Sequence, residues 1–104
     1  MRVIARATLV EFWEKHPRSK GPLEAWYDEA KRANWSNTHD VKEQYRSADF
    51  VKDNRVIFNI AGNKFRLVVH INYPAKIVLI KFLGTHSQYD KINPSTVNLS
   101  ELRS

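Results

Sequence analysis

The chain has 104 residues, 42% of them apolar, with three Trp, four Tyr and five Phe; it is too aromatic for a disordered polymer and too short for more than one domain. Lys and Arg number 17 against 11 Asp and Glu, a net charge of +6 and a pI near 9.8, which favours nucleic acid as the partner, with an anionic membrane surface as the alternative. The absence of Cys excludes a disulfide scaffold and a thiolate metal site, and fits a reducing compartment.

Met1 to Ile4 reads either as a short strand or as the lead into a helix. Glu11 and Glu14 arrive too early for a signal peptide, and the apolar run from Ile77 to Ile80 is far too short to span a bilayer, so a cytoplasmic protein without a membrane partner is expected. Ala5, Leu9, Phe12 and Trp13 recur at helical spacing and predict an amphipathic helix that Pro17 ends. Pro22 suits the first turn of a second helix, whose apolar face is Leu23, Trp26, Tyr27, Ala30 and Ala33. The two helices are predicted to form an antiparallel hairpin. From Asn34 to Asp49 the pattern is weaker: Ser36 or Asn37 caps a short helix to about Tyr45, with Val41 and Tyr45 inward and Trp35 packing at the junction.

The period then changes from 3.6 to 2. Val56, Phe58 and Ile60 alternate up to a tight hairpin turn at Gly62-Asn63, where Gly tolerates positive φ. In the next strand Phe65, Leu67, Val69, Ile71 and Tyr73 share one face; Arg66, Val68, His70 and Asn72 share the other, mostly polar one. Pro74-Ala75 turns the chain into Lys76 to Leu83, a near-continuous apolar strand expected to be covered on both faces. These elements predict an α+β fold: a helical hairpin packed on a small, twisted antiparallel sheet of three strands, or four if the N-terminal strand joins. The run Gly84 to Ile92 suits a helical turn broken by Asn93-Pro94. The tail 93–104 has weak helical character from Val97, Leu99 and Leu102, and the whole of 1–104 is taken as one domain.

No acidic residue occurs between Asp53 and Asp90. Up to Asp53 the chain carries ten basic and nine acidic residues; from Asn54 onward it carries seven and two, so five of the six net positive charges lie there. Arg66 is the foremost candidate in this stretch, because a guanidinium on the polar face of the central strand suits bidentate phosphate binding. The competing role is a solvated residue, or a salt bridge to Asp90 or to a helix carboxylate. His86 and Tyr89, three apart, share a face if Thr85 to Lys91 is helical. A histidine titrates near neutrality, and a tyrosine can stack or donate a hydrogen bond. The structural alternative is a capping box of Thr85 and Gln88 with Tyr89 buried, and the two can coexist. Lys81 interrupts an apolar strand and must reach a sheet edge or groove, as structure or as a phosphate contact. Lys64, Arg55 and Lys76 are at most generic phosphate contacts, each alone more often a solvated residue, and His70 is more often a plain sheet-face histidine. No glycine-rich phosphate loop and no paired His/Cys ligand spacing occurs, and Asp90 is the only acid in this half before Glu101. A carboxylate-held two-metal nuclease is therefore disfavoured. RNA cleavage through the 2′-hydroxyl needs only His, Arg, Lys and Tyr.

The strings Val56-Ile57-Phe58-Asn59-Ile60-Ala61-Gly62-Asn63-Lys64-Phe65-Arg66-Leu67 and Gly84-Thr85-His86-Ser87-Gln88-Tyr89-Asp90 resemble the HigB toxins of bacterial type II toxin–antitoxin systems, within the RelE-like mRNA endoribonucleases. With the helical hairpin the resemblance covers about residues 1–92; the tail after Asn93 matches nothing in it, and Ala61 stands where a glycine is often found. The resemblance implies cleavage of mRNA, usually in the ribosomal A site, and neutralisation by a helix-turn-helix antitoxin of the HigA type. It also implies an arginine on the central strand and His or Tyr groups after the last strand. On that basis Arg66 with Lys81 stabilises the transition state, His86 acts as general acid or base, and Tyr89 orients or stacks the substrate base. Asn59, Asn63 and Lys64 hold the RNA backbone, Lys76 adds a phosphate contact, and no metal or organic cofactor is expected. The alternative is a non-catalytic basic module that binds RNA or the ribosome in a salt-sensitive way without a cleaved product.

Overall fold

The computed structural model describes residues 1–99. Strand β1 (Arg2–Ile4) leads into helix α1 (Arg6–Lys15), a 3-10 turn at Pro17–Ser19 and helix α2 (Lys20–Arg32). Helix α3 (Thr38–Gln44) precedes strands β2 (Asp49–Val51), β3 (Arg55–Ile60), β4 (Phe65–Asn72) and β5 (Ile77–Thr85), and a short helix α4 (His86–Tyr89) closes the series. The sheet order is β1-β5-β4-β3-β2. The predicted three-strand meander is present as β3 to β5, and the N-terminal strand does join it. Two features differ from expectation. A fifth strand, β2, pairs with β3, and β1 runs parallel to β5, so the sheet is mixed rather than antiparallel throughout. The parallel pair follows from connectivity: the chain crosses from β1 over the helices to the far edge, and the meander returns with β5 in the direction of β1.

The helix faces follow their spacing. Leu9 and Trp13 of α1 and Leu23, Trp26 and Ala30 of α2 are buried against the sheet. Ala5 is the exposed N-cap of α1 and lies outside the stripe. Asn37 caps α3 by accepting from the Asp40 N–H at 3.0 Å. Trp35 packs at the junction as expected; its ring and those of Trp26 and Tyr45 surround Phe58 of β3.

The β3–β4 turn is a four-residue loop, 61–64, between paired Ile60 and Phe65. Both Ala61 (φ 54°) and Gly62 (φ 68°) take left-handed backbone. That conformation is unfavourable for alanine, and the gain from removing its Cβ exceeds the added chain entropy of glycine. Ala61→Gly should therefore stabilise the fold by about 0.5–1 kcal/mol, read as a higher urea midpoint at constant slope. A lower midpoint would contradict the turn geometry.

A bulge interrupts the β4–β5 pairing: Val68 faces Phe82 and Val69 faces Ile80, leaving Lys81 as the extra residue. The bulge reverses the side-chain parity of β5. Val78 and Ile80 belong to the helix-side core, whereas Phe82 joins a second cluster with Ile57, Val68 and Val97 on the opposite face. That face is thus less polar than its pattern suggests, because Val68 is fully buried there. The cover comes from the segment after α4. Arg55 Nη1 donates to the carbonyls of Pro94 (3.1 Å) and Val97 (2.7 Å), drawing Val97 onto the sheet. Asn93-Pro94 does break the helical turn, and Leu102 lies outside the described residues.

Candidate active site

Arg66 lies on the central strand near the turn end of the sheet face away from the helices, in one row with Asn59 of β3 and Gly84 of β5. Its Nη1 donates to the Asn63 carbonyl at 3.2 Å, and its Cζ sits 5.7 Å from the centre of the Tyr89 ring. Neither salt bridge considered for it forms; among the described residues no carboxylate pairs with Arg66. A cation held by a ring and one carbonyl keeps most of its N–H donors for an incoming anion. Gly84, opposite Arg66, is held to glycine by its neighbours: a Cβ there would come within 2.6 Å of Phe82 Cζ and 2.8 Å of Gln88 Oε1.

The predicted capping box starts α4. Thr85 Oγ1 accepts from Gln88 N at 3.2 Å, and Gln88 Oε1 accepts from Thr85 N at 2.9 Å. The His86 N–H donates to the Lys64 carbonyl at 3.1 Å, which ties the helix to the hairpin turn and gathers Lys64, Arg66 and His86 at one corner. His86 Nδ1 lies 3.1 Å from Asp90 Oδ2, with both side chains more than half exposed. If the neutral ring carries its proton on Nδ1, facing the carboxylate, Nε2 presents a lone pair to solvent. Sequence reasoning considers Asp90 as a partner for Arg66 and not for His86; the signal for the observed pair was the four-residue spacing from His86 on one helical turn.

Tyr89 is half-buried between Arg66 and Phe82, whose ring centre is 6.4 Å away. Burial raises its phenol above the usual value; the Arg66 charge pulls the other way, and Asp49 and Asp90 add to the rise. At neutral pH it is a hydrogen-bond donor, and the ring face under Arg66 is occupied. Asn59 is half-buried beside Arg66 and reaches the Ser47 carbonyl at 3.5 Å. Asn63 and Lys64 are exposed in the turn. Lys81, in the bulge, is half-buried near His70.

Lys76 is not brought together with the other predicted residues. It sits in the β4–β5 turn at the other end of the sheet, six residues along β4 from Arg66 to Asn72 and so on the order of 20 Å away. Its ammonium holds the Trp35 carbonyl (2.9 Å) and the Ser36 hydroxyl (3.2 Å), a structural latch.

His70 pairs with Arg55 in register, and its Nδ1 is buried without a partner. Burial first, then the charges of Lys81 and Arg55, lower its pKa below the ordinary imidazole value, against a weaker pull from Asp53. The unfolded chain then binds more protons than the folded one once pH drops below about 6.5, so stability is lost as pH falls through that value towards the lower folded one. His70→Asn should lose less stability than wild type in urea titrations between about pH 7.5 and 5.5. Equal losses would show that His70 is not the group responsible.

Among the described residues no cluster of three or more His, Asp or Glu is arranged to hold a metal ion, and no helix is long and apolar enough to cross a membrane. The assembled groups are two cations, a carboxylate-backed imidazole and a protonated phenol around an open surface. Such a set can bind a phosphodiester, accept a proton from a hydroxyl beside it and stabilise charge on its oxygens.

Comparison with known proteins identifies the family. Residues 19–92 match the family described as HigB toxin, RelE-like toxic component of a toxin–antitoxin system. The "mRNA interferase HigB" of Escherichia coli O6:H1 is 24% identical over 94 residues, covering 88% of this chain and 91% of that protein. The "mRNA interferase toxin HigB" of Escherichia coli (strain K12) is 27% identical over 92 residues, covering 86% and 88%. The "mRNA interferase HigB" of Shigella flexneri gives the same figures, 27% over 92 residues with 86% and 88% covered.

Proposed function

The chain belongs to the HigB toxin family, and from that premise we infer that it is an endoribonuclease that cleaves messenger RNA and so arrests growth. It is the toxin of a toxin–antitoxin pair, with an antitoxin as partner and mRNA as substrate. The observation that carries the residue assignment is Arg66 held over Tyr89 without a carboxylate partner, next to the His86–Asp90 pair. In the proposed reaction the 2′-oxygen of one nucleotide attacks the adjacent phosphorus. The P–O5′ bond breaks, leaving a 2′,3′-cyclic phosphate and a 5′-hydroxyl. His86 Nε2 takes the 2′-hydroxyl proton while Asp90 holds the ring and offsets the charge formed. Arg66 hydrogen-bonds the non-bridging oxygens, with Lys81 adding positive potential. The departing oxygen takes a proton from water. Tyr89 holds the Arg66 guanidinium in place and offers its hydroxyl to the substrate. Asn63 and Lys64, in the turn, and Asn59 contact the RNA backbone.

The A site of the translating ribosome is the proposed place of cutting, and a helix-turn-helix protein of the HigA type is the proposed antitoxin. An exposed cationic corner fits a substrate presented by a large RNA machine. Induction of wild type, Arg66→Ala and His86→Ala, with primer extension on a translated message, tests this reading. Wild type should give new 5′ ends within the coding region and both variants should give none. Growth arrest without new ends would favour the non-catalytic RNA- or ribosome-binding module, and toxicity of both variants equal to that of wild type would sink the site assignment.

A further inference from the structure

Strand β1 pairs only with Ile77, Val78 and Leu79. Beyond Leu79 no strand among the described residues lies beside the outer edge of β5, and the gap is bordered by the C-terminal end of α1 and the residues after α4. A cleft of about 510 Å³ lies there, lined in part by Phe12, Lys15, His16, Phe82, Gln88 and Lys91. A smaller hollow of about 240 Å³ adjoins it and shares Lys15 and His16, with Arg18 as a further cation. Among the described residues no carboxylate lines either one. The His16 ring stacks on Phe12 with centroids 4.4 Å apart and planes 27° from parallel, and Phe65 meets it edge-on at 5.8 Å. The histidine is thus a half-exposed ring packed on Phe12 and Phe65, in hollows that Lys15, Arg18 and Lys91 also line.

The cleft adjoins the Arg66 site. Phe82 lines the cleft and packs against Tyr89, which in turn lies beneath Arg66. Gln88 faces the cleft from the same helical turn that carries His86 and Tyr89. Aromatic platforms between lysines bind single-stranded nucleic acid by stacking a base and neutralising its phosphates. We propose that this cleft is a second nucleotide subsite: it takes the base next to the cleaved bond against His16, with the neighbouring phosphates on Lys15 and Lys91. The assignment rests on the ribonuclease reading for its substrate, and it adds residues in α1 and after α4 to the RNA path.

Nuclear magnetic resonance titration tests it with adenosine 5′-monophosphate and with a 2′-O-methyl RNA trinucleotide, which binds but cannot be cut. In wild type the His16 ring protons and the Lys15 and Lys91 amides should shift with both ligands. His16→Ala should weaken trinucleotide binding by roughly 5- to 30-fold, the loss of one base stack, and His16→Phe should restore it. The pair Lys15→Gln and Lys91→Gln, both at exposed positions, should flatten the salt dependence by about 1.4 in log K per log salt with the melting temperature unchanged. Shifts confined to the Arg66 side, with wild-type affinity in every variant, would overturn the subsite. So would protection of the cleft by the antitoxin with no response to either nucleotide ligand. A wild-type protein that shifts at His16 yet cuts no message would sink the ribonuclease reading and leave the cleft a nucleotide site. Cutting without a shift at His16 would overturn the subsite alone.

Discussion

Replacing Arg66 with alanine lowers the rate of message cleavage by about 10²–10³-fold, the usual loss when one preorganised donor to a developing oxyanion is removed. Growth arrest on induction disappears with it. Arg66 lies in one row with Asn59 and Gly84, so three strands fix its backbone, and the Tyr89 ring and the Asn63 carbonyl fix its head. No rearrangement is then needed when charge builds on phosphorus. Arg66→Lys keeps the charge but loses the planar fork, and recovers only part of the rate. The fold loses little, since the contact with Tyr89 is worth roughly 0.5–1 kcal/mol. The check is single-turnover cleavage alongside urea unfolding. Loss of activity that tracks loss of stability would mean that Arg66 is structural.

His86→Ala lowers the cleavage rate by about 10²–10⁴-fold, the range for removing a positioned general base. Its side chain is more than half exposed and packs in neither core, so unfolding free energy should stay unchanged. Asp90→Asn should lose less than His86→Ala, because the amide can still hold the ring but cannot offset the charge formed on it. Tyr89→Phe separates the roles at this turn: it keeps the ring under Arg66 and removes only the hydroxyl. Rate–pH profiles of the four proteins provide the measurement. A wild-type acidic limb that persists in His86→Ala would assign the base to another group.

The parts of this fold that were legible in the sequence are those carried by local pattern. The stripes of α1 and α2, the Asn37 cap, the β3–β4 hairpin and the Thr85–Gln88 capping box each occupy fewer than twenty residues with a recognisable period or cap. The alternation of β4 set Arg66 on the face away from the helices. What escaped depends on contacts distant in sequence. Strand β2 is three residues long and shows no period, and the parallel pairing of β1 is decided by the return of β5 some seventy residues later. The bulge at Lys81 sits in an apolar run where a change of parity leaves no mark. Val68 is buried because Arg55 holds the carbonyls of Pro94 and Val97 across the sheet. Lys76 looked like any basic residue of the cationic half until its ammonium met Trp35 and Ser36. The cleft at His16 joins α1 to α4 and has no signature in either segment alone.

The chemistry of the cut ends tests the central claim most directly. Message recovered after induction should carry a 2′,3′-cyclic phosphate on each upstream fragment and a 5′-hydroxyl on each downstream one. Neither should accumulate in Arg66→Ala or His86→Ala. Ends bearing 3′-hydroxyl and 5′-phosphate, or an intact message in arrested cells, would contradict cleavage by the RNA's own 2′-oxygen at this site.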